Sequence, residues 1–307
     1  MPNAISKLES AAANATLVRD LAPPAWTAGL APRDFTLVSA TVAGAADLAP
    51  ADLEQQAFEA YVSIARQLAR AGHRHAVRFW NHVPQITDPA DAGRDNYMVF
   101  NAGRFRAFSD WYGGPAHFER DVATATATGH WGKDLVIHCL ATGRPGAAVS
   151  NPRQVAPYHY SQRFGPLPPC FARATRLGGD LLLVGGTASV RGEDSVHLDD
   201  LASQCRETFL NMATLISAAT GVKITPSLKL PRLLAAFTDL RVYYPSRRDA
   251  AEIGAAVAAQ FPRLARLEML HADLCRPELL VEIEGIADLS ALRAASVATA
   301  AATPKQA

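Results

Sequence analysis

The feature that most constrains the fold is a succession of strands and helices that occurs twice along the chain. In the first half, hydrophobic periodicity predicts three strands, over 36–42, 75–86 and 135–141, and two helices, over 52–70 and 105–126, the second broken at Gly113. In the second half it predicts strands over 180–190, 233–244, 264–270 and 279–286, and helices over 199–219 and 247–260. Corresponding segments lie about 150 residues apart, which is typical of an internal repeat. We therefore predict an α/β (α+β) fold of two fused units, residues 1–150 and 151–307, with helices packed on one face of each sheet.

The stretch between the two predicted units, residues 143–169, is rich in Pro, Gly, Tyr and Arg and shows no clear period. A connection of this length inside a compact domain is uncommon and is usually functional or disordered. Because it contains Tyr158, Tyr160 and Phe164, we expect it to be ordered and functional. The Ala/Thr-rich end, residues 294–307, is expected to fray.

Composition excludes several classes of protein. The chain has 30 Lys and Arg against 29 Asp and Glu, so binding to nucleic acid or to an anionic membrane has no bulk electrostatic support. The first 24 residues lack a continuous apolar stretch, and no run reaches the roughly 18 apolar residues that span a bilayer. The four cysteines are dispersed, as expected for reduced thiols of a cytoplasmic protein.

Common cofactor and metal motifs are absent from the sequence. No GxGxxG follows a predicted strand, and there is no phosphate-binding loop, nucleophile elbow or HExxH motif. No cysteine pair or Cys/His spacing fits a structural zinc site. We therefore expect no metal and no organic cofactor.

The last predicted strand carries two carboxylates. Side chains alternate along a strand, so Glu282 and Glu284 share one face. A half-buried strand with a solvated acidic face is the ordinary interpretation. The functional one is an acid in a cleft, whose pKa is raised by apolar walls so that it can donate a proton.

Two arginines stand among small and apolar residues instead of in a run of charge. Arg104 lies in FNAGRFRAF and Arg173 in PPCFARATR. An arginine in such surroundings often clamps an anion, because its planar fork matches a carboxylate; a surface or salt-bridging arginine is the alternative. Tyr160 could add a phenolic donor.

Several segments carry a resemblance to known families. GGTASV (185–190) and LLVEIEGIA (279–287) resemble the YjgF/RidA family, whose fold is chorismate-mutase-like. The whole chain resembles the chorismatases more specifically, which join a diverged N-terminal half of this type to a well-preserved C-terminal one. The matching segments are RFWNHVPQI (78–86), FNAGR (100–104), VSNPRQVAPYHY (149–160), GPLPPCFARA (165–174), GGTASV and DLCRPELLVEIEG (273–285).

This resemblance implies an enzyme that cleaves chorismate and releases pyruvate without metal or cofactor. It implies that Glu282 is the catalytic acid, which protonates the enolpyruvyl methylene, and that Arg104, Arg173 and Tyr160 bind the substrate. The residues matching the family's product-determining positions are Ala188 and Cys275. Cys275 resembles the type that aromatises the ring to 3-hydroxybenzoate, in some members with 4-hydroxybenzoate, whereas Ala188 resembles the type that adds water and gives a dihydroxycyclohexadiene carboxylate. We favour hydroxybenzoate formation.

Two other functions fit parts of the sequence. A RidA-type enamine or imine deaminase would use Arg266 as its carboxylate clamp, but that family consists of a single unit of about half this length. A catalytically silent sensor of a small ligand on the same fold is the third alternative. Relatives of single length form trimers with sites between subunits, so we expect a monomer or weak dimer with its pocket near the junction of the halves.

Overall fold

The computed structural model of the protein describes residues 21–31, 33–224, 230–290 and 292. The stretch 294–307, expected to fray, lies outside the described residues.

A four-stranded sheet with helices on its outer face forms the first half. Its strands and helices, with a short hairpin of β3 and β4, are β1 (Phe35–Val42), α1 (Pro50–Ala71), β2 (His75–Pro84), β3 (Pro89–Asp91), β4 (Arg94–Asp95), α2 (Asn96–Tyr112), α3 (Phe118–Asp121), β5 (Thr124–His130) and β6 (Leu135–Thr142). The strand order is β1-β6-β2-β5, in which β2 and β5 are parallel and the other neighbours antiparallel.

A six-stranded sheet forms the second half. Its elements are β7 (Ala147–Val149), β8 (Ala174–Leu177), β9 (Leu181–Ala188), β10 (Val190–Arg191), β11 (Asp194–Ser195), α4 (Leu201–Thr220), α5 (Leu230–Leu234), β12 (Phe237–Tyr244), α6 (Ala250–Gln260), β13 (Arg266–His271) and β14 (Glu282–Asp288). The strand order is β13-β12-β14-β9-β8-β7, and β10 and β11 form a separate hairpin.

The two sheets share one topology, which confirms the predicted fold class. The order β1-β6-β2-β5 of the first sheet corresponds to β9-β14-β12-β13 of the second. Each sheet has one parallel pair at the same place, β2 with β5 and β12 with β13. Strands β7 and β8 extend the second sheet beyond this common core, so that sheet takes up the chain from Ala147 onward. The division at residue 150 stays a prediction.

The predicted helix over 105–126 is wrong at both ends. Helix α2 begins at Asn96, where the Asp95 carboxylate accepts a hydrogen bond from the Met98 backbone N–H at 2.7 Å, and it ends at the left-handed Gly113. Residues 124–130 form the buried strand β5. The sequence TATATGH alternates with a period of two, and its alanines hid that strand pattern behind their helix propensity.

Two further elements differ from the sequence analysis. The strand predicted over 233–244 begins only at Phe237, because residues 230–234 form α5. Strand β8 was not predicted, and the linking stretch 143–169 contains β7 and two short 3₁₀ turns, Pro157–His159 and Gln162–Phe164.

The inner faces of the two sheets pack against each other, and the helices cover the outer faces. On the outside of the first sheet, Ile64 and Phe108 from helices pack with Phe79. Outside the second sheet, Phe209 and Met212 of α4 belong to one core with strand residues such as Ile283. Between the sheets lies a smaller apolar cluster, formed by Val77, Trp80, Leu140, Leu177, Leu183 and Ile286.

A buried ion pair joins the two sheets beside this cluster. Arg78 Nη2 of β2 lies 2.5 Å from Glu284 Oε2 of β14, with side chains only 2% and 3% exposed. The Trp80 indole N–H donates to Glu284 Oε1 at 2.8 Å, and the Thr126 hydroxyl donates to Oε2. Because a buried charge is costly without its partners, these contacts fix how the sheets face each other.

The first prediction concerns this pair. Arg78→Met or Glu284→Leu alone should lower the free energy of unfolding by about 3–5 kcal/mol, since each leaves one buried charged group without its partner. The double variant should be more stable than either single one, because two apolar side chains then meet. Chemical denaturation of the four proteins measures the cycle. Single variants that each lose less than about 1 kcal/mol, the range of surface pairs, would contradict it.

Candidate active site

A cavity of about 210 Å³ opens where the two halves meet. All six residues that the sequence analysis selected line it: Arg104, Tyr160, Arg173, Ala188, Cys275 and Glu282. Helix α2 and strand β5 of the first half form part of its wall. Strands β9 and β14, the linking stretch with the residues up to Arg173, and the loop before β14 form most of the rest. Residues far apart in sequence therefore meet in one concave site, which is where ligands usually bind.

Of the acids that line this cavity, Asp95, Glu278 and Glu282, only Glu282 is buried. Its side chain is buried at the first position of β14. Burial, followed by the neighbouring Glu284, raises the pKa of its carboxyl to about 8, against the opposing effect of Arg78, Arg173 and Arg276. Within the described residues no hydrogen-bond donor reaches this carboxyl. Glu282 is thus a protonated acid at neutral pH, free to give its proton to a ligand.

Glu284 shares the strand face with Glu282, as alternation predicted, but its surroundings are different. Arg78, Trp80 and Thr126, all from the first half, contact both oxygens of its carboxylate. The two neighbouring acids therefore differ in their partners: Glu284 is paired with Arg78 and accepts from Trp80 and Thr126, whereas no such donor contacts Glu282 in the described part of the chain.

Gly186 makes room for the acid. A Cβ atom at this position would lie 1.9 Å from Glu282 Oε1. The Gly186 backbone N–H donates to the Thr126 hydroxyl at 2.9 Å, which in turn contacts Glu284. Sequence analysis missed this residue, although a glycine inside a strand often marks a close approach of another group.

Arg104 reaches the cavity from α2 with part of its guanidinium unpaired. Its Nη2 donates to Asn101 Oδ1 at 2.6 Å, while Nε and Nη1 are buried without a partner among the described residues. Burial works to lower the pKa of Arg104, but the nearby phenols of Tyr61 and Tyr97 raise it above its usual value. Arg104 is therefore a permanent cation with unused donors, suited to a carboxylate ligand.

Arg173 and Tyr160 form a second polar unit. Arg173 Nη2 donates to Tyr160 Oη at 2.5 Å and more weakly to the Val155 carbonyl at 3.4 Å. Arg173 Nε is buried without a partner in the described part of the chain. Because the phenol oxygen accepts from Arg173, its own proton remains available to a ligand.

The two small wall residues flank the acid. Ala188 lies directly opposite Glu282 in the pairing of β9 with β14. Burial, followed by the nearby Glu282, raises the pKa of the Cys275 thiol to about 12, so this cysteine lines the cavity as a neutral thiol at neutral pH.

Besides Gly186, the residues of the cavity wall that were not selected from the sequence include Phe171 and Arg276. The Phe171 ring lies between the two clamps, with its centroid 5.7 Å from Arg104 Cζ and 5.2 Å from Arg173 Cζ. Arg276 stacks over Phe164 at 4.3 Å and donates to the Glu193 carbonyl at 2.9 Å, which ties the β10–β11 hairpin to the cavity wall. Phe171 lies two residues before Arg173, and Arg276 directly follows Cys275. Their position beside residues that were selected is the sequence feature that could have identified them.

Arg266, the carboxylate clamp of the alternative deaminase hypothesis, is not among the residues that line this cavity. Its Nη1 lies 3.4 Å from an Asp239 carboxylate oxygen, and its side chain is 46% exposed on β13. Across the described ranges, no three His, Cys, Asp or Glu side chains are grouped to hold a metal ion. The helices described there include none long and apolar enough to cross a membrane.

The second prediction concerns the raised pKa of Glu282. Between its ordinary pKa of 4.5 and the folded value of about 8, the folded protein binds more protons at Glu282 than the unfolded chain does. The stability that Glu282 contributes is complete below pH 4.5 and is lost as pH rises through about 8. Glu282→Gln should therefore gain stability relative to wild type by up to about 1.4 kcal/mol per pH unit across this window.

Urea unfolding at several pH values between 5 and 9 measures this difference. Glu252→Gln, an exposed change on α6, is the matched control and should follow the wild-type pH dependence. A constant difference between Glu282→Gln and wild type would show that the acid is not shifted.

Comparisons with known proteins give a consistent family. A family model described as "Chorismatase FkbO/Hyg5-like, N-terminal" matches residues 33–141. A 3-hydroxybenzoate synthase of Streptomyces hygroscopicus is 34% identical over 236 residues, covering 74% of this chain and 67% of the relative. A chorismatase of Streptomyces rapamycinicus is 34% identical over 233 residues, covering 74% of this chain and 68% of the relative.

A solved structure extends the likeness to the fold. The crystal structure of a chorismatase superimposes with a TM-score of 0.69 at 29% identity, covering 82% of this chain and 74% of that one.

Proposed function

This chain belongs to the chorismatase family of enzymes, and we propose that it cleaves chorismate, with release of pyruvate and a hydroxybenzoate. The observation that carries the proposal is the neutral Glu282 carboxyl, buried in a cavity that also holds the unpaired donors of Arg104 and Arg173. Chorismate presents the matching groups, two carboxylates and an enol ether that is cleaved by acid.

Glu282 is the proton donor in this proposal. An enol ether is activated by protonation of its terminal methylene carbon, which leaves an oxocarbenium ion at the adjacent carbon. Carbon is a poor proton acceptor, so the acid must be desolvated and still protonated at the working pH. Once the proton has moved, the Glu282 carboxylate lies beside the cation that it has generated and stabilises it electrostatically.

The two clamps orient the substrate. Arg104 offers Nε and Nη1, and Arg173 offers Nε, so each can bind one of the two substrate carboxylates. Tyr160 fixes Arg173 and can donate its own proton to the same ligand. Holding the methylene against the acid in this way can supply several kcal/mol of the barrier, about 7–11 kcal/mol in ideal cases.

The wall residues bear on the ring product. Conversion of chorismate to pyruvate and a hydroxybenzoate consumes no water, whereas the dihydroxycyclohexadiene carboxylate requires one water molecule. The presence of both Cys275 and Ala188 combines features of both branches. We propose 3-hydroxybenzoate as the main product, with 4-hydroxybenzoate as a second hydroxybenzoate. Ala188 favours the hydrolytic branch as the alternative.

Product analysis distinguishes these branches. Purified protein is mixed with chorismate, pyruvate is quantified, and the ring product is identified by chromatography and mass spectrometry. A hydroxybenzoate in equal amount to pyruvate supports the proposed branch, and a dihydrodiol identifies the hydrolase. Absence of pyruvate would refute chorismate cleavage altogether.

The third prediction tests the acid. Glu282→Gln keeps the shape of the side chain and removes its proton, so the rate of pyruvate release should fall by at least about 10²–10⁴-fold. Glu252→Gln, remote from the cavity, should retain the wild-type rate. A Glu282→Gln protein of near-normal rate would place the acid elsewhere.

The fourth prediction tests the space beside the acid. Gly186→Ala places a methyl group where the Glu282 carboxyl now lies, so the acid must move and kcat should fall by about 10²-fold or more. Gly254→Ala on α6 has nothing within 4 Å of the new Cβ and is the control with unchanged activity. Equal activity of the two variants would show that the position of Glu282 is not required.

The fifth prediction concerns a clamp. Arg173→Ala should reduce kcat/KM by an amount equivalent to about 2–5 kcal/mol, since a buried substrate carboxylate loses its partner. Steady-state kinetics with chorismate measures the loss. Arg206→Ala, an exposed arginine of α4, is the matched control, and equal kinetics for the two variants would remove Arg173 from the site.

A further inference from the structure

Glu284 stands next to the acid but outside the proposed chemistry. It is two residues from Glu282 on the same strand face, which separates their Cα atoms by about 7 Å. Its carboxylate is buried and is directed to the first half, where Arg78, Trp80 and Thr126 contact it. It is absent from the residues that line the cavity, so it has no direct access to a bound ligand.

We propose that Glu284 is a positioning residue for proton transfer: its carboxylate, held by Arg78, Trp80 and Thr126 of the first half, acts on the neighbouring Glu282 carboxyl through its charge and through the contact of Thr126 with Gly186. This inference rests on the proposed function. Through Glu284, the first half of the chain acts on the acid of the second half.

The charge balance around Glu282 shows why this anion matters. The cations near Glu282 are Arg78 from β2, Arg173 directly before β8 and Arg276 from the loop before β14, and each of them favours ionised Glu282. Burial and Glu284 act in the opposite direction. Without the anion, three guanidinium groups would act on Glu282 with burial alone to oppose them.

The other groups around the two acids do not replace this charge. Tyr97 of α2 and Cys275 also face Glu282, and burial raises the pKa of both, so they remain neutral. On the side of β12, Tyr243 and Arg241 face Glu284, and Arg241 is paired with Glu268 at 2.5 Å. Glu284 is therefore the anion that acts most directly on Glu282.

The arrangement also fixes where the anion lies. Thr126 links the surroundings of the two acids. Its hydroxyl donates to Glu284 and accepts from the backbone N–H of Gly186, and the Glu282 carboxyl packs against Gly186. A shift of the Glu284 carboxylate would thus disturb both the charge and the seat of the acid.

The test is the pH dependence of kcat/KM for pyruvate release. In the wild type the rate should fall as pH rises through the pKa of the acid. In Glu284→Gln this alkaline limb should move to lower pH by about 1 unit or more, because removal of the neighbouring negative charge favours ionised Glu282. Glu284→Asp keeps the charge and should keep the limb within about 0.5 unit of wild type, even if kcat falls.

Two further variants distinguish an effect on the pKa of Glu282 from a loss of protein stability. Glu207 of α4 is another buried carboxylate and is paired with Arg153 and Arg191. Glu207→Gln should lower the stability of the protein and leave the alkaline limb at its wild-type pH. If Glu284→Gln does not fold, Arg78→Met/Glu284→Gln removes both charges of the pair and should show a shift of the same sign but smaller size.

The outcomes are distinct. A wild type that releases no pyruvate refutes the proposed function. If the wild type shows an alkaline limb and this limb lies at the same pH in Glu284→Gln, the role of Glu284 is overturned and chorismate cleavage stands. The double variant takes the place of Glu284→Gln in this comparison if the single variant does not fold. A limb that moves equally in Glu207→Gln overturns it as well, since any loss of a buried pair would then suffice.

Discussion

The contact between Arg78 and Glu284 is the interaction on which the rest of the site depends. It crosses the interface between the two sheets with both side chains buried, and its geometry is completed by Trp80 and Thr126. A buried ion pair contributes little net stability over apolar residues, but it penalises every arrangement in which the partners are separated. It therefore selects one registration of the two halves, and that registration forms the cavity.

Neither half contains a complete site. The first half contributes Arg104 and the donors around Glu284, and the second contributes Glu282, Arg173 and the glycine against which the acid packs. The shared strand order is consistent with duplication of one unit, after which each copy supplied a different part of the chemistry. Cationic groups surround an acid that burial keeps neutral, a combination suited to binding a dianion and protonating it.

The sequence predicted the parts of this site that are local. Alternation predicted that Glu282 and Glu284 share one face of a strand, and apolar surroundings singled out Arg104 and Arg173. The structure brings Glu282 and both arginines to one cavity, and their roles stay a prediction. The sequence could not show that Gly186 touches Glu282 or that Arg78 partners Glu284, because these contacts join residues about 100 and 200 positions apart. Strand β5 was not predicted, and the helix predicted over 105–126 ran into its first three residues, since alternating alanines also have high helix propensity.

Glu282 is a protonated acid at neutral pH, although three guanidinium groups lie near it. Titration of its side-chain carboxyl carbon by ¹³C NMR, with the signal assigned through Glu282→Gln, measures this directly. The Glu282 signal should titrate near pH 8. A Glu282 signal that titrates near its ordinary value of 4.5 would contradict it.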